Sequence, residues 1–341
     1  MFRTAKAIPG LLCMLWLTFS CNNSDDSVSA FDKVLSQPPY DLITDSIKKE
    51  PKNDALYFRR AILLNTNEQI EPAIADFKKA WSLNKEEKYA FGLSNLLLEK
   101  KPDSAAVFLR EALKDLPNSF LLQVTLARAY AAQNKTDEAL QLCNSILEKN
   151  PEQTGLLKMK AELLDKKGNT AEAIDILERV YNLTPFDIEL NYELALKWAE
   201  NKNPKVIALC DSLIKIDTLQ IHAEPYYYKG IYYTTMGDKA KAISFFDQAI
   251  QHDKFYMNAF IEKGRVLFEQ KKYAEAYSVF QLANTLSNTF PDAYYWMGRC
   301  QEAVGKKEEA KLNYQRAYAL DNTFTDAKEA IDSIKIKINN K

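Results

Sequence analysis

The stretch that decides the fold runs from residue 226 to residue 249 and reads YYYKGIYYTTMGDKAKAISFFDQA. The same arrangement returns at 260–283 as FIEKGRVLFEQKKYAEAYSVFQLA, and at 294–317 as YYWMGRCQEAVGKKEEAKLNYQRA. Each copy begins with an aromatic residue, has a glycine four positions later, and carries an Ala, an aromatic residue and an Ala near its end. Three copies at a period of 34 residues indicate an array of helical repeats.

Three glycines mark the middle of the first helix in these copies, and they are Gly230, Gly264 and Gly298. A glycine inside a helix costs about 1 kcal/mol relative to alanine. Its return at a fixed period therefore predicts that a second helix crosses too closely for a side chain. Alanines of the second helix, such as Ala242 and Ala249, serve the same close packing from the other side.

Turn and helix-end signals follow the same period. Turns are expected seven residues beyond the small residue of a first helix, at Gly168, Gly237 and Gly305. Prolines that close second helices recur 34 residues apart, at Pro117, Pro151 and Pro185.

The earlier repeats match the same pattern less regularly. Their matching positions are Tyr57, Ala61, Leu64, Ala73, Phe77 and Ala80, then Ala127, Tyr130 and Ala139, then Ala161, Leu164 and Ala173. The unit from Tyr89 to Pro117 is expected to have a shifted or shortened hairpin without a clear small position. An irregular link from Asp217 to Pro225 follows the unit that contains Trp198, and the array is expected to bend there.

These signals predict the domain organisation of the whole chain. After the N-terminal leader (1–20), the predicted segments are a flexible tether (21–30), an N-terminal partial repeat (31–53), degenerate repeats (54–222), three regular repeats (223–324), and a C-terminal capping helix and tail (325–341).

The repeat resembles the tetratricopeptide repeat (TPR), whose pattern places an aromatic residue, a small residue and a Tyr or Leu on the first helix, followed by Ala-x3-Phe on the second. The resemblance covers most of the chain after Asp54. It implies an all-α fold, an α–α superhelix of antiparallel helix hairpins that forms a TPR-like solenoid. It also implies a protein that binds a protein or peptide partner and is not an enzyme.

The first twenty residues read as a secretory signal, because Arg3 and Lys6 precede a short apolar run that ends at Leu17. The run is shorter than the ~20 apolar residues that cross a bilayer. The sequence Leu17-Thr18-Phe19-Ser20-Cys21 then resembles a bacterial lipobox of the Bacteroidetes type. This resemblance implies cleavage before Cys21 and acylation of Cys21, as in an outer-membrane lipoprotein. The acidic tract at 22–26 resembles a surface-export signal, and periplasmic and surface orientations both stay open.

Composition argues against several other classes of function. The net charge is −1 and no basic cluster stands out, so nucleic acid is not an expected partner. The chain has two histidines and no CxxC or HExxH motif, so neither a metal nor a cofactor is expected. Three cysteines, Cys143, Cys210 and Cys300, are predicted to be buried thiols, since equivalent positions two repeats apart lie too far apart for a disulfide.

The TPR resemblance places a binding groove along the first helices. Carried over, its outward positions are Phe58, Ile62, Val124, Arg128, Lys158, Glu162, Tyr192, Tyr227, Ile231, Ile261, Arg265, Tyr295 and Arg299. Twelve of the eighteen tyrosines lie in residues 223–320, and Tyr and Arg are enriched in binding hot spots, so this part is the favoured site. Two alternatives stay open: the tyrosines pack between repeats, and the two arginines, Arg265 and Arg299, are solvated or paired within the chain.

The sequence therefore favours a membrane-anchored scaffold or adaptor that binds a protein partner in the cell envelope, as part of assembly or secretion machinery. A second reading is a surface nutrient-uptake component that binds glycan or peptide. A third is a cytoplasmic adaptor whose N-terminus only resembles a signal.

Overall fold

A computed structural model describes residues 31–339 of this chain, with side chains as far as residue 334. The predicted signal peptide, Cys21 and the tether lie outside the described residues. Between residues 31 and 339 the secondary structure consists of helices without any strand, so the predicted all-α TPR-like solenoid is confirmed. The chain divides into two compact units, with the boundary between Lys135 and Thr136.

The first unit contains seven helices among its described residues. They are α1 (Asp32–Leu35), α2 (Asp41–Lys49), α3 (Asp54–Thr66), α4 (Ile70–Leu83), α5 (Glu87–Lys100), α6 (Pro102–Asp115) and α7 (Phe120–Ala132).

The second unit continues the series to the end of the described chain. Its helices are α8 (Thr136–Lys149), α9 (Thr154–Lys166), α10 (Thr170–Leu183), α11 (Ile188–Glu200), α12 (Lys205–Ile216), α13 (Glu224–Thr235), α14 (Lys239–His252), α15 (Met257–Glu269), α16 (Tyr273–Leu286), α17 (Pro291–Ala303), α18 (Lys307–Leu320) and α19 (Thr325–Asn339). In the part of the chain that the structure describes, no helix has both the length and the hydropathy to cross a bilayer.

The mid-helix glycines lie against aromatic rings of the second helix in the same hairpin. A Cβ built on Gly230 would come within 2.5 Å of the Phe246 ring, and one on Gly298 within 2.7 Å of the Tyr314 ring. Gly264 stands in the same relation to Phe280. All three rings are fully buried. The predicted reason for the glycine period, a close crossing of two helices, is confirmed.

The hairpin turns share one backbone conformation. Gly168, Gly237 and Gly305 have φ of +81°, +81° and +83°, which favours glycine at these three predicted turns. After Gly237, the Asp238 N–H donates to the Tyr233 carbonyl at 2.9 Å, which caps the preceding helix. Turn residues with positive φ elsewhere include Glu68, Lys202 and Lys271. The turn therefore belongs to the hairpin geometry and does not require glycine.

The irregular units differ from the regular repeats in the length of the loops that connect their helices. Lys101 alone separates α5 from α6, so the hairpin expected to be shifted or shortened has a short turn. Between α12 and α13 the link spans residues 217–223, whereas four residues join second to first helices elsewhere in the second unit (150–153, 184–187, 253–256 and 287–290). The link is therefore irregular, as predicted, because it is longer.

A buried ion pair joins the first hairpin to the preceding helix. The Arg60 Nε donates to Asp76 Oδ2 at 2.6 Å and Nη2 donates to Oδ1 at 2.8 Å, while Nη1 donates to the Thr44 hydroxyl at 2.9 Å. Both charged side chains are 7% exposed. Asp76 is therefore a buried carboxylate, and the bidentate guanidinium compensates its burial.

The three cysteines within the described residues are free and buried, as predicted. Burial raises the pKa of Cys143 to about 11 and the pKa of Cys300 to about 12. The thiolate is the nucleophilic form of cysteine. Near neutral pH these side chains therefore act as small apolar groups of the core.

Replacement of Gly264 by alanine tests the close crossing. Because an added Cβ would overlap the fully buried Phe280 ring, we expect Gly264→Ala to destabilise its hairpin by about 1–3 kcal/mol. The matched control is Gly155→Ala in α9, where a Cβ meets nothing within 4 Å, and it should be neutral or slightly stabilising. Urea unfolding followed by circular dichroism measures both. Equal midpoints for the two variants would contradict the packing argument.

Candidate protein-binding site

The first helices of the last three hairpins, α13, α15 and α17, contact one another in order. We call their shared outward surface the first-helix face, and we define it by Tyr227, Ile231, Glu262, Arg265, Phe268, Trp296 and Arg299. Each of these side chains is half-buried, except for Arg265, which is exposed. The face lies entirely within the second unit.

Trp296 of α17 lies at the centre of the first-helix face. The Arg265 guanidinium is 5.5 Å from the centre of its ring and the Arg299 guanidinium is 5.6 Å from it. Phe268 packs edge-on against the ring at 5.6 Å, and Phe280 stacks on it at 5.8 Å. Two predicted site arginines, one repeat apart in sequence, therefore lie against a single aromatic ring.

Arg299 is held by aromatic side chains from two hairpins. Its guanidinium lies 5.7 Å from the Phe268 ring of α15, and its Nη1 donates to the Tyr295 hydroxyl at 3.0 Å. Neither contact neutralises the positive charge. Arg299 therefore presents a positioned guanidinium with donors to spare, since a guanidinium has five N–H groups.

Arg265 has a carboxylate partner, and its Nη1 lies 2.6 Å from Glu262 Oε1. The alternative that Arg265 pairs within the chain is therefore correct for its Nη1 group. The Arg265 side chain is still 46% exposed, so a second acceptor can reach it from solvent. Burial raises the pKa of Glu262 above its usual value, and burial also raises the pKa of nearby Asp292.

Tyr227 and Ile231 form the α13 end of the face. The Tyr227 ring lies 5.3 Å from Tyr256 and 5.9 Å from Phe246, and burial raises the pKa of its hydroxyl. Ile231 packs on the same cluster of apolar side chains. Both residues are partly exposed, and each also packs against the buried cluster around Phe246.

The predicted outward orientation of Ile261 and Tyr295 is wrong. Ile261 is 7% exposed and belongs to the core that surrounds Phe280. Tyr295 is 8% exposed and packs against Phe324 at 5.0 Å. These positions point at the next hairpin, where an apolar side chain gains more from burial than from solvent. The packing alternative for the tyrosine stripe therefore holds for Tyr295, which reaches the site only through its hydroxyl.

The other predicted positions lie away from this cluster. Tyr192 is half-buried and meets Tyr228 at 6.0 Å, near the long link. Lys158 is paired with Asp187 at 2.5 Å. In the first unit, Arg128 is exposed on α7, and Phe58 and Ile62 line a separate groove of about 450 Å³. Val124 is half-buried in the first unit, and Glu162 is exposed in the second.

Sequence reasoning missed three members of the site: Glu262, Phe268 and Trp296. A signal existed for one contact, because Trp296 and Arg299 lie three residues apart and therefore share a helix side. The contact between Arg265 and Trp296 joins two hairpins, and its geometry depends on how α15 and α17 cross. No spacing within one helix encodes that crossing.

Sequence profiles of tetratricopeptide repeats match residues 96–163 and 132–192, and further profiles match 223–254 and 291–324. No curated protein matches the chain. Tetratricopeptide repeats are therefore identified in both the irregular and the regular parts of the sequence.

A solved structure with a TM-score above 0.5 gives the same result for the fold. A tetratricopeptide repeat protein from Parabacteroides merdae is 19% identical, with a TM-score of 0.58 over 73% of this chain and 98% of its own. The C-terminal part of a repeat protein from Cytophaga hutchinsonii is 16% identical, with a TM-score of 0.48 over 71% and 99%. The first TPR of Spaghetti (RPAP3), bound to an HSP90 peptide, is 26% identical over 37% and 98%, with a TM-score of 0.33.

The raised pKa of Glu262 gives the site a measurable pH dependence. A raised pKa means that the folded state binds the proton more tightly than the unfolded chain, so the ionised carboxylate opposes folding at neutral pH. We expect Glu262→Gln to raise the urea midpoint at pH 7. The gain should shrink as the pH falls through the pKa of Glu262 towards the ordinary value of 4.5, where the native carboxyl is protonated too.

The control for this titration is Glu329→Gln, which removes an exposed carboxylate of α19. The urea midpoint of Glu329→Gln should differ little from that of the native chain, both at pH 7 and near pH 4.5. A Glu262→Gln variant that loses stability at pH 7 would show that the ion pair with Arg265 outweighs the burial of the carboxylate.

Proposed function

Because the chain carries tetratricopeptide repeats, which indicate a protein-binding scaffold or adaptor, we propose that it is a lipid-anchored adaptor of the bacterial cell envelope. It binds a protein partner through the first-helix face of its second unit. The partner belongs to assembly or secretion machinery, where an adaptor holds other proteins in place and performs no chemistry itself.

The observation that carries the proposal is the pair of guanidiniums held against Trp296. Arg and Trp are the residue types that most often dominate binding energy at protein interfaces, and they do so where water is already partly excluded. Here the rings of Phe268 and Trp296 fix the Arg299 guanidinium before any partner arrives. A side chain that is already positioned loses less entropy on binding.

The chemistry of the face favours a carboxylate on the partner. A guanidinium matches a carboxylate with two parallel N–H donors, and the surrounding rings strengthen the charge interaction by excluding water. Glu262 and Asp292 lie near Arg265, and their carboxylates repel a partner surface that is acidic over a wide area. The site therefore fits a single acidic group of the partner. The proposed ligand is therefore an extended segment with a single acidic side chain or a C-terminal carboxylate, flanked by apolar residues.

The membrane anchor rests on the N-terminal sequence. A charged start, a short apolar run and the cysteine at position 21 after a serine support cleavage and acylation there. Several acyl chains on one cysteine give a firm attachment, because each buried methylene contributes about 0.8 kcal/mol. The residues between Cys21 and α1 are polar, which suits a tether that presents the repeats to partners near the membrane.

Alanine substitutions at Trp296 and Arg299 test the binding face. We expect each to weaken capture of the partner in a crosslinking pulldown from native membranes, by about tenfold if either is a hot spot. The matched control is Arg316→Ala. It removes an exposed arginine of the second helix α18, whose guanidinium lies over the Tyr294 ring. Capture that is equally strong with all three variants would refute the proposed face.

Substitution of Cys21 by alanine tests the anchor separately. The native chain should enter the detergent phase on Triton X-114 partitioning, and Cys21→Ala should stay in the aqueous phase because it has no acyl chain. Mass spectrometry of the mature N-terminus supplies a second measurement. A native chain that is aqueous and unacylated would remove the lipoprotein part of the proposal and leave the binding face untouched.

A further inference from the structure

The long link between α12 and α13 displays apolar side chains to solvent. Leu219 is 75% exposed and Ile221 is 57% exposed, and Ile216 at the end of α12 is 63% exposed. The other links from a second helix to the next first helix in the second unit have four residues, and among them Phe186 and Phe255 are exposed. An apolar side chain left in water gives up about 1.5–3 kcal/mol of burial, so three such side chains at the lengthened link leave a sizeable burial energy available to a partner.

A cavity of about 300 Å³ opens beside this link. We call it the link pocket, and its lining residues are Ile188, Tyr192, Leu213, Ile216, Asp217, Thr218, Leu219 and His222. Aliphatic side chains and the Tyr192 ring make up most of its wall, whereas the polar groups come from the link itself. The volume suits one large side chain such as Leu or Phe.

The link is held in place by contacts of its own. Asp217 accepts from the His222 N–H at 2.9 Å, which closes the link into a compact loop. The Gln220 carbonyl bonds to Nδ1 of His252 at 2.8 Å, and the His252 ring stacks on Tyr226 at 4.3 Å. The apolar side chains are therefore presented by a positioned loop, which is what a preformed binding site requires.

The charges at the mouth of the link pocket are acidic. Asp217 lines the pocket, and the His222 N–H holds the pKa of its carboxyl below the usual value, so it is ionised at neutral pH. Glu224 lies 3.9 Å from the His222 ring, and both carboxylates act on the Tyr192 hydroxyl. No lysine or arginine is among the lining residues that the structure describes.

From this combination we infer that the link pocket is a second binding site, which takes a large apolar side chain next to a lysine or arginine on a partner protein. The apolar wall receives the side chain and the two carboxylates attract the neighbouring cation. This site is separate from the first-helix face and does not depend on the proposed function. The same carboxylates disfavour an anionic lipid surface as the occupant.

Binding of short synthetic peptides to the full-length protein tests the pocket. The probes are fluorescein-labelled nonapeptides with Leu, Phe or Ala at the centre and with Lys, Ser or Glu on both sides, measured by fluorescence anisotropy. Lys-flanked Leu and Phe peptides should bind about tenfold or more tightly than their Ala-centred counterparts, as expected for burial of one large side chain.

Two substitutions locate the effect. Ile216→Ser removes an exposed wall residue and should abolish the preference for Leu and Phe over Ala, whereas Leu312→Ser, at a 57% exposed leucine of α18, should leave it unchanged. Glu224→Gln should lower only the preference for Lys over Ser flanks, by about twofold to fivefold. Trp296→Ala should change neither preference, which separates this result from a failure of the first-helix face.

Three outcomes would overturn the inference. The first is equal binding of Leu-centred and Ala-centred peptides, or a preference that survives Ile216→Ser. The second is sedimentation with phosphatidylcholine vesicles that Ile216→Ser abolishes, in the absence of any peptide preference, which would assign the surface to lipid. The third is a dimer in sedimentation equilibrium that Ile216→Ser dissociates, which would assign it to a second copy of the chain.

Discussion

The contact between a small residue on the first helix and a ring on the second is the constraint on which each regular hairpin depends. Gly230 and Gly298 leave room for Phe246 and Tyr314, and the rings fill that room completely. This contact fixes how closely the two helices cross. Since the three regular hairpins use the same crossing, the outward side chains of their first helices return at one spacing, and a surface with regular positions results.

The first helices both pack against neighbouring hairpins and present side chains to solvent, and different aromatic residues serve these two purposes. Tyr295 is buried against the next hairpin, while its neighbour Trp296 is half-buried and lies between two guanidiniums. The packed rings therefore form a rigid base for the charged groups above them. A cation held by aromatic rings keeps its charge available, whereas one held by a carboxylate, as Arg265 partly is, shares it.

Irregular positions of the array have a different physical origin. The long link relaxes the requirement that a second helix be followed at once by the next first helix, so its side chains are at least partly exposed, apart from the buried Ala223. Leu219 and Ile221 consequently face solvent, and a pocket opens beside them. In a repeat protein, the sites where the period fails are the places where surface chemistry can change without disturbing the shared crossing.

The sequence alone determined the helical repeat, its period, its turns and the reason for its glycines, because these follow from spacing along one hairpin. It also located the arginines Arg265 and Arg299 and the irregular link. Only the tertiary structure decided that Ile261 and Tyr295 are buried, that Asp76 is paired inside the first unit, and that Trp296 joins the two arginines. Those outcomes depend on contacts between hairpins, whose geometry is set by the packing of many side chains at once.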